Sequence, residues 1–130
     1  HDQITAGSVS DHICAFWDVL PTLGEITGYS YKKTDGISFL PTLKGNRQKA
    51  HEYLYWELPE GEGSKALRMG KWKGYLSNIK NGNRCVELYD LETDPQEQYN
   101  LSSTYPNVVN EIEKKMKKAH TESPVTNYKL

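Results

Sequence analysis

The segment 104–118 carries an amphipathic pattern that constrains the whole fold. Apolar side chains recur on one face of a helix, and Glu or Lys occupies most other positions. The apolar members are Val108, Val109, Ile112 and Met116. A helix of ~15 residues is marginal alone in water, so this face must be buried against another element. The chain therefore needs a second layer on which the helix packs.

The sequence between residues 51 and 91 predicts that layer. Four segments rich in aromatic or apolar residues alternate with turn residues, and they cover 51–58, 65–69, 72–79 and 85–91. The short turns between them, above all Asn81-Gly82-Asn83, favour an antiparallel meander. The predicted fold class is α+β, a four-stranded antiparallel sheet packed by one C-terminal helix.

A helical segment precedes the sheet. Apolar residues between 13 and 26 recur at spacings of three and four, but Pro21 interrupts them. Because proline is tolerated in the first turn of a helix, we expect a helix from Val19 to Thr27, capped by Asp18 and ended by Gly28. A short helical turn is expected over 38–43.

Composition excludes several classes of protein. The 130 residues suit one core, and the net charge of -1 argues against a broad surface for nucleic acid or acidic lipid. No apolar stretch approaches the ~20 residues of a membrane helix. The N-terminus does not resemble a signal peptide, so we expect any export signal to lie outside this sequence.

Cysteines and histidines do not form a recognisable site. Cys14 and Cys85 are expected to be buried free thiols, with a bridge between them left open, and Cys14 lacks a partner that would make it a nucleophile. The histidines His1, His12, His51 and His120 are scattered, so we expect no metal site within the chain. The acidic residues around Asp90 are interpreted as solvated charge.

The stretch Arg68 to Tyr75 leaves two interpretations open. Its alternating basic and aromatic residues are compatible with a stand-alone module that binds an anionic glycan or single-stranded nucleic acid. Aromatic core beneath a helix, with lysines in solvent, explains the same pattern.

Four segments together resemble the C-terminal region of the sulfatases, the sulfuric ester hydrolases of the alkaline-phosphatase-like superfamily. Residues 4–28 are similar to the family stretch "aG..s..D..PTl...aG", and residues 35–43 to "DG.SflP.L". Residues 66–73 and 87–101 are similar to "avR.g.wK" and "eLYdl..DP.E..Nla". Their order and spacing over most of the chain make the resemblance specific.

The resemblance implies a division of the chain. Residues 1–49 would be the end of the large sulfatase domain, and residues 50–130 the smaller C-terminal subdomain. The missing N-terminal catalytic domain of the same protein would be the partner of both. No pattern is recognised in residues 123–130.

The resemblance also implies where the chemistry lies. The full-length enzyme would hydrolyse a sulfated small molecule or glycan with a formylglycine nucleophile and calcium, in the periplasm or outside the cell. Cys14 is followed by Ala15, Phe16, Trp17 and Asp18, so it lacks the C/S-x-P-x-R motif that is converted to formylglycine. We expect this part to be inactive, with no catalytic residue, cofactor, nucleic-acid partner or membrane contact.

Three residues are candidates for contacts with the substrate. His51, Arg68 and Lys71 lie at predicted strand ends and turns, and the subdomain of such enzymes closes one side of the pocket. An exposed apolar patch around Trp17, Leu20 and Leu23 is also expected, where the large domain would dock.

Overall fold

The computed structural model describes residues 3–31 and 33–130, and His1 lies outside them. The chain divides into two compact units, His1–Glu52 and Tyr53–Leu130.

A helix of more than two turns lies in the first unit. A single 3-10 turn, Phe16–Asp18, leads directly into α1, Val19–Thr27. The predicted bounds are confirmed: Pro21 lies in the first turn, and Gly28 ends the helix with a left-handed φ of 75°. A short helix α2, Leu40–Leu43, follows, with the Ser38 hydroxyl accepting a hydrogen bond from the Leu40 N–H at 3.2 Å.

One side of α1 is apolar and exposed. Leu20 is 48% and Leu23 53% exposed, as expected, and Phe16 reaches 89%. Trp17 differs from the expectation because it is only partly exposed. Its carbonyl would lie 2.2 Å from a Cβ placed on Gly36, so a side chain at position 36 would collide with this turn. Close backbone approach explains the glycine.

The second unit is the predicted sheet and helix. Its strands pair in the order β1-β2-β3-β4, all antiparallel. The strands are β1 Leu54–Leu58, β2 Ser64–Met69, β3 Trp72–Leu76 and β4 Glu87–Asp90, and the helix is α3 Pro106–Ala119. The α+β prediction is therefore confirmed.

The connection from β3 to β4 is longer than the sequence predicted. A tight hairpin at residues 81–83 is wrong, because a 3-10 turn, Ile79–Asn81, stands between the strands. Side chains close this loop in place of ladder hydrogen bonds. Asn83 Nδ2 donates to the Ser77 carbonyl at 2.8 Å, and Arg84 Nη1 donates to the Ile79 carbonyl at 2.9 Å. As a result β3 ends at Leu76 and β4 begins only at Glu87.

Helix α3 packs on the sheet at a glycine. Leu67, Gly74 and Leu88 are paired across three neighbouring strands and share one face. Leu67, Leu88 and Ile112 of α3 are each 0% exposed. A Cβ on Gly74 would lie 2.5 Å from Ile112 Cγ2. The missing side chain therefore allows the helix to approach the middle of the sheet.

The outer edge of β4 is covered by the chain that follows it. The Leu88 N–H donates to Asn100 Oδ1 at 3.1 Å, and the Leu88 carbonyl accepts from the Leu101 N–H at 2.8 Å. These bonds replace those of a further strand, which removes an edge open to other chains. Asn100 comes 12 residues after Leu88, and this spacing lets its side chain return to the edge of β4.

We predict that Gly74→Ala destabilises the second unit by about 1–3 kcal/mol, because the methyl group overpacks against Ile112. Urea unfolding of the 130-residue chain measures this. In Gly74→Ala/Ile112→Ala the cost should be smaller than the sum of the two single costs, since the collision is removed. Additive costs would show that the two positions do not touch.

Candidate functional site

The carboxylate of Asp18 organises the first unit. Asp18 is 0% exposed. Its Oδ2 accepts a hydrogen bond from the Ala15 N–H at 2.7 Å, and its Oδ1 accepts from the Ile37 N–H at 2.8 Å. His51 Nε2 lies 2.8 Å from the same Oδ1. One buried side chain therefore holds three separate segments of this unit.

Thr22 adds a second link between the same segments. Its hydroxyl donates to the Asp18 carbonyl at 2.7 Å and accepts from the Phe39 N–H at 3.0 Å. Thr22 is buried, one turn after Asp18 in α1. The spacing of Asp18, Pro21 and Thr22 therefore lets the start of α1 bind the backbone of residues 37–39.

Hydrogen bonding determines the ionisation of Asp18. Burial alone would raise its pKa, but the bonds from Ala15, Ile37 and His51, with the charge of His51, lower it below the ordinary 3.8. Asp18 is therefore an anion at neutral pH, with each of these donors directed at it.

His51, the first predicted substrate contact, is a partner of this carboxylate. Its side chain is 10% exposed, and its Nε2 bond to Asp18 fixes the orientation of the ring. In the neutral ring an Nε2–H donated to Asp18 leaves Nδ1 as an acceptor. The ring thus has one nitrogen committed to the fold.

The other two predicted contacts, Arg68 and Lys71, lie together at the turn between β2 and β3 in the second unit. Arg68 Nε donates to the Gly70 carbonyl at 3.1 Å. Lys71 Nζ lies 2.6 Å from Asp90 Oδ2 and 4.7 Å from the centroid of the Trp72 ring. The turn thus has the Arg68 guanidinium bonded to its backbone and the Lys71 ammonium beside an indole ring.

Asp90 corrects the sequence interpretation of solvated charge. It is only 6% exposed. Besides Lys71, its Oδ1 accepts from the Glu92 N–H at 3.1 Å, because the turn after β4 folds back on the carboxylate. The hydrogen bond from Lys71 is the main cause that lowers the pKa of Asp90. Sequence spacing alone did not indicate this pair, which is 19 residues apart.

The lysines of the basic stretch are paired with acids. Lys73 Nζ lies 2.6 Å and 2.7 Å from the two carboxylate oxygens of Glu97. Lys71 is paired with Asp90 as described above. The positive charge available to a polyanion along this strand is therefore smaller than the sequence suggests.

Both cysteines differ from expectation. Cys14 and Cys85 are free thiols and exposed. Cys14 lies in the extended segment before the 3-10 turn, and Cys85 lies in the irregular connection before β4, where its N–H donates to Asn83 Oδ1 at 3.0 Å. Neither position belongs to a packed element, which explains the exposure.

No metal-binding group is found in the parts of the chain that the structure describes, 3–31 and 33–130. There, no three side chains of His, Cys, Asp or Glu converge as ligands would. The residues present do not fit a calcium site, and the sequence after Cys14 does not fit a formylglycine precursor.

The family model described as "N-sulphoglucosamine sulphohydrolase, C-terminal" matches residues 1–122. The chain belongs to this sulfatase C-terminal family. The resemblance seen in the sequence is thereby confirmed, and the Asp18 and Asp90 networks are the local structures of a sulfatase C-terminal domain.

Curated relatives are sulfatases that are much longer than this chain. The ulvan-active sulfatase of Formosa agariphila is 31% identical over an alignment covering 77% of this chain and 27% of that protein. Human arylsulfatase K is 26% identical, over 87% of this chain and 23% of that protein. The chain thus spans about a quarter of these relatives.

Solved structures share the fold of this sulfatase C-terminal domain. A putative sulfatase from Bacteroides thetaiotaomicron superposes with a TM-score of 0.68 at 28% identity, over 78% of this chain and 23% of that one. A protein solved with its substrate D-glucosamine-2-N,6-O-disulfate gives a TM-score of 0.74, over 88% of this chain and 25% of that one. At 22% identity the second likeness concerns the fold alone.

We predict that Asp18→Asn destabilises the first unit by about 1–3 kcal/mol, because an amide nitrogen cannot accept the Ala15 N–H and leaves it unpaired. Faster hydrogen exchange at Ala15 measures the loss. Asp11→Asn, which changes an exposed carboxylate of the same unit, is the matched control.

The dependence of stability on pH provides a second test of Asp18→Asn. Because the folded pKa of Asp18 is lowered, its contribution to stability is present above the unfolded pKa and is lost as the pH falls through the folded value. Asp18→Asn should lack this part of the acid destabilisation. Equal acid sensitivity in both proteins would contradict the assignment.

Proposed function

We propose that this chain is the C-terminal part of an enzyme that hydrolyses sulfate esters. The observation that carries the proposal is the match of the sulfatase C-terminal family to residues 1–122. The catalytic groups, a formylglycine nucleophile and calcium, belong in this proposal to a preceding domain of the same protein. The chain by itself is inactive and supplies fold stability and one wall of the substrate pocket.

Sulfated sugars are the proposed class of substrate. Two relatives are named for such compounds, the ulvan-active sulfatase and a Δ4,5-hexuronate-2-O-sulfatase of Bacteroides thetaiotaomicron, which is 36% identical over 65% of this chain. The proposed location of the enzyme is the periplasm or the outside of the cell. No helix among the described residues is long and apolar enough to cross a membrane.

The two units have different roles in the proposal. Residues 1–49 complete the large domain, and their contact with it is the exposed side of α1, where Phe16, Leu20 and Leu23 lie. Covering such apolar side chains with another apolar surface lowers the free energy of the protein. Residues 50–130 form the separate subdomain.

Arg68 and Lys71 are the proposed contacts of the second unit with substrate. Both are partly exposed at the turn between β2 and β3. A guanidinium and an ammonium suit the sulfate and carboxylate groups of an acidic sugar, and the Lys71 ammonium, 39% exposed, has further N–H groups besides the one that it donates to Asp90. His51 is proposed to present its Nδ1 to the substrate while Nε2 is held by Asp18.

The alternative, a stand-alone module for anionic glycan or single-stranded nucleic acid, is less well supported. Such a module needs a strip of unpaired cations. Lys71 and Lys73 instead lie against Asp90 and Glu97. The apolar side of α1 is also unexplained by this alternative.

We predict that, in the full-length enzyme, Arg68→Ala and Lys71→Ala each raise the KM for a sulfated sugar by about tenfold, the worth of one charge-assisted hydrogen bond. The value of kcat should change less. Steady-state kinetics with a sulfated disaccharide measures both constants.

Lys117→Ala is the matched control, because Lys117 is exposed on α3 of the same unit. It should leave KM unchanged. Unaltered KM in both test variants would remove the proposed wall of the pocket, and turnover by the 130-residue chain alone would overturn the proposed division of labour.

We predict opposite outcomes for Leu20→Ser/Leu23→Ser in two settings. In the 130-residue chain both side chains are about half exposed, so stability should change little. In the full-length enzyme the same change should cost on the order of 2–4 kcal/mol, because buried apolar area is lost.

Val125→Ser, at a position that is also 50% exposed, is the control and should be neutral in both settings. Thermal unfolding of these four variants, each compared with its unsubstituted protein, measures the loss of stability. Equal small effects in both settings would show that α1 does not contact the large domain.

A further inference from the structure

The end of helix α3 carries a cluster of ionisable side chains that the proposed function does not use. His120 follows the last residue of α3, and its N–H still donates to the Met116 carbonyl at 3.0 Å. Its backbone is extended, with φ -60° and ψ 134°, so the chain leaves the helix here. The imidazole therefore lies where the packed helix becomes the C-terminal tail, residues 121–130.

Both ring nitrogens of His120 face carboxylates. Nδ1 lies 2.6 Å from Glu57 Oε1 on β1, and Nε2 lies 3.2 Å from Glu122 Oε2 in the tail. A protonated ring donates from both nitrogens, whereas a neutral ring donates from one only. In the neutral ring, the nitrogen without a proton would direct its lone pair at a carboxylate oxygen. Both carboxylate contacts are thus hydrogen bonds only for the imidazolium, whereas the Lys65 ammonium could donate to Nδ1 only in the neutral ring.

Three other charged or titratable groups lie around His120 and its two carboxylates. Tyr55 on β1 donates its hydroxyl to Glu57 Oε1, Lys65 Nζ on β2 lies 3.4 Å from His120 Nδ1, and Lys129 Nζ in the tail lies 3.7 Å from Glu122 Oε1. The Lys65 ammonium opposes a charge on the ring. Two carboxylates favour it, at the shorter distances of 2.6 Å and 3.2 Å.

Glu57 remains an anion in this arrangement. Burial would raise its pKa, but the hydrogen bonds from Tyr55 and His120, with the charges of His120 and Lys65, lower it below the ordinary 4.5. The acceptor on β1 therefore stays charged in mild acid.

We propose that His120 is a pH-sensitive latch that fastens the end of α3 and the C-terminal tail to strand β1. In mild acid the imidazolium bridges Glu57 and Glu122. When the ring loses its proton, one of the two bridges is lost and the tail opens more often. The core contacts of Ile112 and Met116 hold the rest of α3 at either pH.

Hydrogen exchange of the 130-residue chain at about pH 5.5 and about pH 8, the range over which imidazole titrates, tests the latch. After correction for intrinsic rates, protection of residues 117–130 should fall on the order of threefold to tenfold at the higher pH. Protection at Leu67, in the sheet, should not change. Equal protection of the tail at both values of pH would overturn the proposal.

Two variants separate His120 from other groups. His120→Gln should abolish the dependence on pH, because its amide does not titrate. His12→Gln, which removes a histidine of the first unit, should leave it unchanged. A dependence on pH that persists in His120→Gln would overturn the latch.

A measurement on the unsubstituted chain avoids any failure of a variant to fold. Nitrogen-15 NMR follows the His120 ring directly, and the amide shifts of Glu122 and Lys129 follow the tail. Both sets of signals should titrate with one midpoint. A ring that titrates while the tail amides stay constant would refute the coupling.

Discussion

The packing of helix α3 on the sheet determines the structure of the second unit. This packing depends on the absence of a side chain at Gly74. Ile112 occupies the space above Gly74, between the fully buried Leu67 and Leu88. Any side chain at position 74 would force α3 outward and open the most tightly packed part of the core. The amphipathic pattern of α3 requires burial, and Gly74 provides the surface that makes it close-packed.

A buried anion has the corresponding role in the first unit, which has few apolar contacts of its own. Asp18 and Thr22 hold the segment around Ile37 through hydrogen bonds, so backbone N–H groups take the place of a hydrophobic core. Such networks are specific because a buried carboxylate is costly unless its donors are present. The apolar side of α1 stays available for a neighbour, in keeping with a unit that completes a larger domain.

Local signals in the sequence were sufficient for the elements of the fold. Pro21 and Gly28 gave both ends of α1, and the periodicity of 104–118 gave α3. What could not be predicted depends on contacts between distant residues. The burial of Asp90 needs Lys71, and the early end of β3 needs the Asn83 side chain. The exposure of both cysteines follows from irregular backbone, which residue type does not indicate.

The covering of β4 by Asn100 and Leu101 has a consequence for synthesis on the ribosome. β4 leaves the ribosome before α3 does, so the sheet can form while the core is still open. The two residues that close the edge follow soon after, before any of α3 is made. An edge that is already covered offers fewer unpaired N–H and C=O groups to another unfinished chain, which disfavours cross-association.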